Sequence, residues 1–159
     1  MEKNRTRAVE IERKYLVKGK PWEGHEGIPY RQGYVSLWGG TSVRARVAGE
    51  KGFLTIKGRR TGISRIEFEY PIPASEASEI IDTLCEGRVV EKTRYRIEYD
   101  GLIWEIDRFH GRNEGLVVAE VELESEDQVV SIPEWAGEEV TEDGAYSSSK
   151  LSRYPYSTW

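Results

Sequence analysis

The chain has 159 residues, 38 % hydrophobic and 32 % charged, with a net charge of −5. That length suits one domain, 1–159, and the negative balance argues against a general nucleic-acid binder. A single cysteine, Cys85, excludes an intrachain disulfide and a cysteine-based zinc site, and His25 and His110 show no ligand spacing. The start "MEKNRTRAVEIERK" has no apolar core for a signal peptide, and no apolar run is long enough to span a bilayer. The expectation is a cytoplasmic protein with no membrane partner.

In chain order, period-two alternation predicts strands over 8–17, 30–37, 41–48, 53–58, 65–72, 89–98, 102–110 and 116–124. Polar or glycine-bearing loops separate them, and "YDGL" reads as a tight Asp-Gly hairpin between the sixth and seventh. The spacing suggests an antiparallel meander of about eight strands. One helix interrupts it over 73–87, with Ser75 as N-cap and an apolar stripe of Ile80, Ile81, Leu84 and Cys85. That stripe makes Cys85 a core residue rather than a nucleophile. A short helix from Ser125 and another in the tail "EVTEDGAYSSSKLSRYP" complete the expectation.

The polar face of nearly every strand carries charge. It reads Glu10, Glu12, Lys14 in the first strand, then Ser42, Arg44, Arg46, then Thr55, Lys57, Arg59. Arg65, Glu67, Glu69 follow, then Lys92, Arg94, Arg96, then Glu105 and Asp107, and last Glu120, Glu122, Glu124. The alternate positions are apolar, as in Val43 and Val47 or Trp104 and Ile106. A sheet with one wet face explains any one of these strands. It explains the set poorly, because like charges two residues apart stand roughly 7 Å apart and repel. Carboxylate pairs invite a hard divalent cation, and Arg/Lys pairs invite phosphate. A barrel with a polar interior and an apolar outer wall would serve both.

The ordered set "VEIERKYLV", "RQGYV", "SVRAR", "FLTIKG", "RIEFEYPI", "VEKTRYRI", "WEIDRFHG", "VVAEVELESED" and "EEVTEDGAY" resembles the CYTH domain, the triphosphate tunnel metalloenzymes. The opening segment carries that family's ExExK signature, and the likeness runs over almost the whole chain. "RQGY" and "EKTRY" resemble its short bacterial members, often inorganic triphosphatases. The resemblance implies a mainly β fold: an eight-stranded antiparallel tunnel with a few flanking helices, binding triphosphate inside with Mg²⁺ or Mn²⁺. By position it makes Glu10, Glu12, Glu120 and Glu122 metal carboxylates, with Glu67, Glu69 and Asp107 as further acidic ligands or supporting groups. Lys14, Arg44, Arg46, Lys57, Lys92 and Arg94 fall on the phosphate-holding positions. Some members close the site with a basic residue near the C-terminus, for which Lys150 or Arg153 stands here. A homodimer is expected on family grounds.

Phosphoanhydride hydrolysis needs charge neutralisation and an in-line water. Two bases suggest themselves: Glu12, or Tyr34 with its acidity raised by Lys14 from a neighbouring strand. The alternative for Tyr34 is a wall residue. The leading expectation is hydrolysis of inorganic tripolyphosphate. Thiamine triphosphatase, nucleoside triphosphatase, class IV adenylate cyclase and a non-catalytic polyphosphate-binding module are the alternatives, since all need the same phosphate cage.

Overall fold

Alternating residues form strand wherever the two faces meet different surroundings. The computed structural model describes residues 9–159; position 8 of the expected first strand lies outside them. The strands are β1 (Val9–Val17), β2 (Gly27–Trp38), β3 (Thr41–Ala48), β4 (Lys51–Lys57), β5 (Ser64–Ile72), β6 (Val89–Tyr99), β7 (Leu102–Phe109), β8 (Val117–Glu122) and β9 (Ala136–Glu139). The eight expected strands are present, β2 and β4 starting earlier than predicted. The ninth was missed because "AGEE" is too short to show a period.

Neighbours run in the order β5-β4-β3-β2-β6-β7-β8-β1, and β1 also pairs with β5, which closes a ring of eight antiparallel strands. The path is not the simple meander expected. β2 to β5 form one meander and β6 to β8 another. A helix, α1 (Ala74–Leu84), carries the chain between them, so that β6 pairs with β2 rather than β5. β1 fills the gap, pairing with β8 through Glu12↔Glu122 and Lys14↔Glu120, and with β5 through Glu10↔Arg65. The Asp-Gly hairpin is present: Asp100 and Gly101 take φ of 47° and 79°, as a two-residue turn with left-handed central positions requires.

Helix α1 lies outside the barrel against β2, β3 and β4, with Ala77, Ile81 and Cys85 fully covered. A Cβ at Gly33 would stand 2.6 Å from the Cys85 sulfur, so glycine there lets the helix approach. Two details differ from expectation. The N-cap is Pro73, whose carbonyl accepts from the Glu76 and Ala77 amides, so Ser75 already lies in the first turn. Leu84 is exposed because it turns away from the Ala77–Ile81–Cys85 line. No helix begins at Ser125. The Gln128 amide closes a turn on the Ser125 carbonyl, and its side chain accepts from the Glu124 amide. Elsewhere outside, Tyr15, Trp104, Ile106 and Val121 are covered by Val130 and Trp135, and Trp104 packs 5.5 Å from both Tyr15 and Trp135.

A second apolar cluster lies inside the ring. Register partners share a face of the sheet. Leu16 pairs with Val118, Val118 with Asp107, Asp107 with Arg94, and Phe109 with Lys92. Leu16, Val118 and Phe109 therefore point inward with the charged row. Val90 and Leu116 join them, and Leu151 fills the space between. Leu151 comes from the tail's short helix α2 (Ser148–Leu151), capped by Ser147, whose hydroxyl accepts from the Lys150 amide. Full burial of one leucine contributes about 1.5–3 kcal/mol. The barrel is thus sealed at one end. Among the described residues, no helix is long and apolar enough to cross a membrane.

Candidate active site

Above the apolar seal the barrel encloses a cavity of about 340 Å³, lined by eight Lys or Arg and seven Glu side chains. The near balance lets so many charges stay buried together, but the two signs are segregated. Around the ring, β7, β8, β1 and β5 present chiefly carboxylates: Glu105, Glu120, Glu122, Glu10, Glu12, Glu67 and Glu69. The adjoining strands β4, β3 and β6 present Lys57, Arg44, Arg46, Lys92, Arg94 and Arg96, with the uncharged inward row of β2 between β3 and β6. Strand order creates these two arcs, since the residues are interleaved along the chain.

On the acidic arc, Glu10 accepts two hydrogen bonds of 3.0 Å from Lys57, which also lies 3.2 Å from Glu67. Burial and Glu67 still hold the Glu10 pKa above the ordinary carboxylate range. Glu12 faces Glu122 directly across the β1–β8 ladder, a destabilising arrangement for two anions. Among the described residues neither is in an ion pair. Burial, then the charges of Glu120 and Glu10, push Glu12 up to about 8. Burial and the charges of Glu10 and Glu105 raise Glu122 as well. Glu120 behaves oppositely: burial would raise it, but Lys14 at 3.5 Å and Arg94 at 3.9 Å hold it far below its ordinary value.

On the cationic arc, Arg44 reaches Thr55 at 3.3 Å and Glu69 at 3.7 Å, and its buried Nε has no partner. Arg46 donates to Gln32 at 2.9 Å; burial, with Arg44 and Arg94 nearby, lowers its pKa to about 10. Burial pushes Lys92 down to about 7 although Asp107 lies 2.6 Å away. Asp107 is shared with Arg94, which donates to it two bonds of 2.7 and 2.8 Å, and the charges of Arg94 and Arg46 lower Lys92 further.

Four expected site residues sit differently from prediction. Asp107 lies beneath the cavity lining, both oxygens bonded to Lys92 and Arg94, so it is their counter-ion and is not available as a metal ligand. Lys150 and Arg153 are exposed and stack against Tyr154 at 5.8 and 5.5 Å. Ser147, Ser148 and Ser149 face the cavity instead, because Leu151 takes the inward side of α2. Tyr34 lines the cavity, but β2 stands diametrically opposite β1 in the ring rather than beside it. Lys14 pairs with Glu120, while the Tyr34 hydroxyl accepts from Gln32 at 3.3 Å. The Lys14–Tyr34 pairing is therefore absent.

Charge alternation also failed to flag Tyr30 and Gln32, which share the inward row of β2 with Tyr34. These residues carry no formal charge, although their i, i+2, i+4 spacing was legible.

Among the described residues, no three His, Cys, Asp or Glu side chains converge as a metal cage. The chemistry of the acidic arc nonetheless fits a hard divalent cation. Glu12 and Glu122 are oxygen donors held face to face with no cation paired to either among the described residues, and Glu10 is next along the same strand face.

The CYTH domain model matches residues 8–154. The chain is 50 % identical over 148 residues to an inorganic triphosphatase of Acetivibrio thermocellus, covering 92 % of this chain and 95 % of the relative. It is 41 % identical over 148 residues to an inorganic triphosphatase of Nitrosomonas europaea, covering 91 % and 97 %. A solved crystal structure of an inorganic triphosphatase superposes with a TM-score of 0.66 at 38 % identity, covering 90 % of this chain and 93 % of that one.

Proposed function

The chain belongs to the CYTH domain family, and from that membership we propose that it is an inorganic triphosphatase, hydrolysing tripolyphosphate to pyrophosphate and phosphate with a divalent cation. The observation that carries this reading is the segregation of the cavity wall. A polyanion needs cations along its length, and a divalent ion needs carboxylates beside it. Two facing arcs meet both needs in a cavity too charged for an apolar ligand.

In this reading Arg44, Arg46, Lys57, Lys92 and Arg94 hold the phosphate oxygens. The unpartnered Nε of Arg44 supports that assignment, because a buried donor without an acceptor is costly. Glu10, Glu12 and Glu122 hold Mg²⁺ or Mn²⁺, with Glu120, Glu67 and Glu69 setting the orientation of Lys14, Lys57 and Arg44. When bound, the ion supplies positive charge to the phosphate oxygens opposite the cationic arc. Water adds across one phosphoanhydride bond, giving up its proton as the P–O bond to the departing pyrophosphate breaks. Glu12 takes the proton in this scheme, since it lies on the wall opposite the phosphate cage. Tyr34 acts by position, through Gln32 and Arg46. Every residue invoked belongs to one chain, so no partner is needed for chemistry.

The test is phosphate release from tripolyphosphate, ATP and thiamine triphosphate, with and without Mg²⁺ or Mn²⁺. Tripolyphosphate should be turned over at least about tenfold faster than either organic triphosphate. A preference for ATP, or the appearance of cyclic AMP, overturns the substrate assignment. Tight tripolyphosphate binding without turnover makes the chain a polyphosphate-binding module.

A further inference from the structure

Arg46 differs from the other two buried guanidinium groups of the cage, of which Arg44 lies 3.7 Å from Glu69. Arg94 is bonded to Asp107 and lies 3.3 Å from Glu105. Arg46 has no carboxylate partner among the described residues. Two neutral side chains of β2 hold it. Gln32 accepts from its Nε at 2.9 Å, and the ring of Tyr30 lies 4.9 Å from its guanidinium carbon. The same ring lies 4.8 Å from the guanidinium carbon of Arg94 and 5.9 Å from the Lys92 nitrogen.

Strand order explains why one ring meets three cations. β2 lies between β3, which bears Arg46, and β6, which bears Lys92 and Arg94. Adjacent strands are roughly 4.8 Å apart, so these cations face each other across about twice that distance. At that separation in a poorly solvated cavity they repel. An aromatic ring between them offers each a negative π-face and leaves no net charge. A carboxylate would hold the cations more firmly, but it would also compete with the ligand for them.

We infer that Tyr30 is a positioning residue of the phosphate cage, anchoring Arg46 and Arg94 through its π-face so that Arg46 keeps its full charge for the bound polyphosphate. The inference rests on the polyphosphate reading of the cavity and adds a residue that charge patterning does not reveal.

The test is tripolyphosphate affinity measured by titration calorimetry without metal, so that it needs no turnover. Tyr30→Phe should stay within about twofold of wild type, because the π-face remains. Tyr30→Leu, which keeps an apolar side chain but removes the ring, should weaken binding roughly tenfold. In steady state with metal, the Tyr30→Leu loss should appear in KM and leave kcat within about threefold. Ring-fluorinated phenylalanines at position 30 keep the shape and drain the π-face, which covers the case of an unstable leucine variant. Affinity should fall stepwise with fluorine number. Equal affinity of the leucine and phenylalanine variants, or no trend with fluorination, overturns the inference. A wild type that binds but does not hydrolyse sinks the triphosphatase reading and leaves Tyr30 standing. A wild type that does not bind tripolyphosphate overturns both.

Discussion

Burial acts on the two arcs of the barrel wall in opposite directions. On the acidic arc it pushes Glu12 up to about 8; on the cationic arc it pushes Lys92 down to about 7. In each arc the displaced group lacks a counter-ion of its own. Lys14 pairs with Glu120 rather than Glu12, and Lys92 shares Asp107 with Arg94. The protein's own groups therefore place less charge in the tunnel than its sequence suggests. A divalent cation favours ionised Glu12, and a polyphosphate favours protonated Lys92, so each ligand restores the charge it needs.

Removing charge from the acidic arc should have the largest effect. At pH 7 a carboxyl with a pKa of about 8 is mostly neutral, so Glu12→Gln resembles the metal-free protein closely. The variant should fold with a Tm near that of wild type and lose more than about a hundredfold in kcat at millimolar Mg²⁺. Circular dichroism and phosphate release measure the two halves of this expectation. Near wild-type turnover in Glu12→Gln removes the acidic arc from the mechanism.

The cationic arc should follow. Arg46→Ala deletes a cation that no carboxylate holds, so stability should change little while tripolyphosphate binding suffers. A charge-assisted hydrogen bond of about 1.5–3 kcal/mol corresponds to a KM raised by one to two powers of ten. Arg59 is the control. The sequence put it on the same polar face, but β4 ends at Lys57 and Arg59 donates to the Gly39 carbonyl. Arg59→Ala should leave KM within about twofold. Equal losses in the two variants mean that overall positive charge, not the arc, binds the substrate.

That contrast also marks what the sequence could convey. Alternation made the inward charges legible because a strand's period is local: Glu10, Glu12, Arg44, Arg46 and Arg94 all line the cavity as expected. Their division into arcs was not legible. It follows from β6 pairing with β2 and β1 closing onto β5, contacts between residues distant in sequence. The same non-local geometry moved Asp107 under the lining and set Tyr34 across the cavity from Lys14. Lys150 was misread for a different reason. A four-residue helix has too few positions to reveal which side faces inward, and Leu151, not the lysine, docks into the barrel. Tyr30 and Gln32 lacked the feature that charge patterning selects.

The next effect is smaller and concerns protons. Between pH 4.5 and about 8 the unfolded chain has lost the Glu12 proton while the metal-free native chain keeps it, so this group's contribution to stability falls as pH rises. Between about 7 and 10.5 the native chain has lost the Lys92 proton while the unfolded chain keeps it, so that contribution rises with pH. Metal-free protein should therefore show a minimum in Tm near pH 7–8 from this pair. Glu12→Gln should remove the acid-side slope and Lys92→Met the alkaline-side slope. Calorimetry in buffers of different ionisation enthalpy should show proton release of up to about one when Mg²⁺ binds at pH 7. It should show proton uptake when tripolyphosphate binds at pH 8. Proton changes of the opposite sign, or slopes that survive both substitutions, break the opposition between the arcs.

The smallest effect is expected where the arcs meet the neutral strand. Tyr34 is almost fully buried, and its hydroxyl accepts from Gln32, which in turn accepts from Arg46. If Tyr34 were the base, its phenolate would have to form, and Lys14 was the cation expected to favour that. Lys14 instead pairs with Glu120 on the opposite wall. Tyr34→Phe then removes one hydrogen-bond acceptor from Gln32 and no proton acceptor from the reaction. The ring still fills its place, and Gln32 keeps its bond to Arg46. The expected cost is about 0.5–1.5 kcal/mol, or roughly two- to tenfold in kcat/KM, from a less firmly held Gln32. The pH–rate profile at saturating metal should keep the shape of wild type, because the group that titrates lies on the acidic arc. A profile whose alkaline limb vanishes in Tyr34→Phe, together with a loss in kcat beyond about a hundredfold, returns the base to the cationic side of the tunnel. The proton would then leave toward the wall that holds the phosphates, and Glu12 would keep only its place beside the cation.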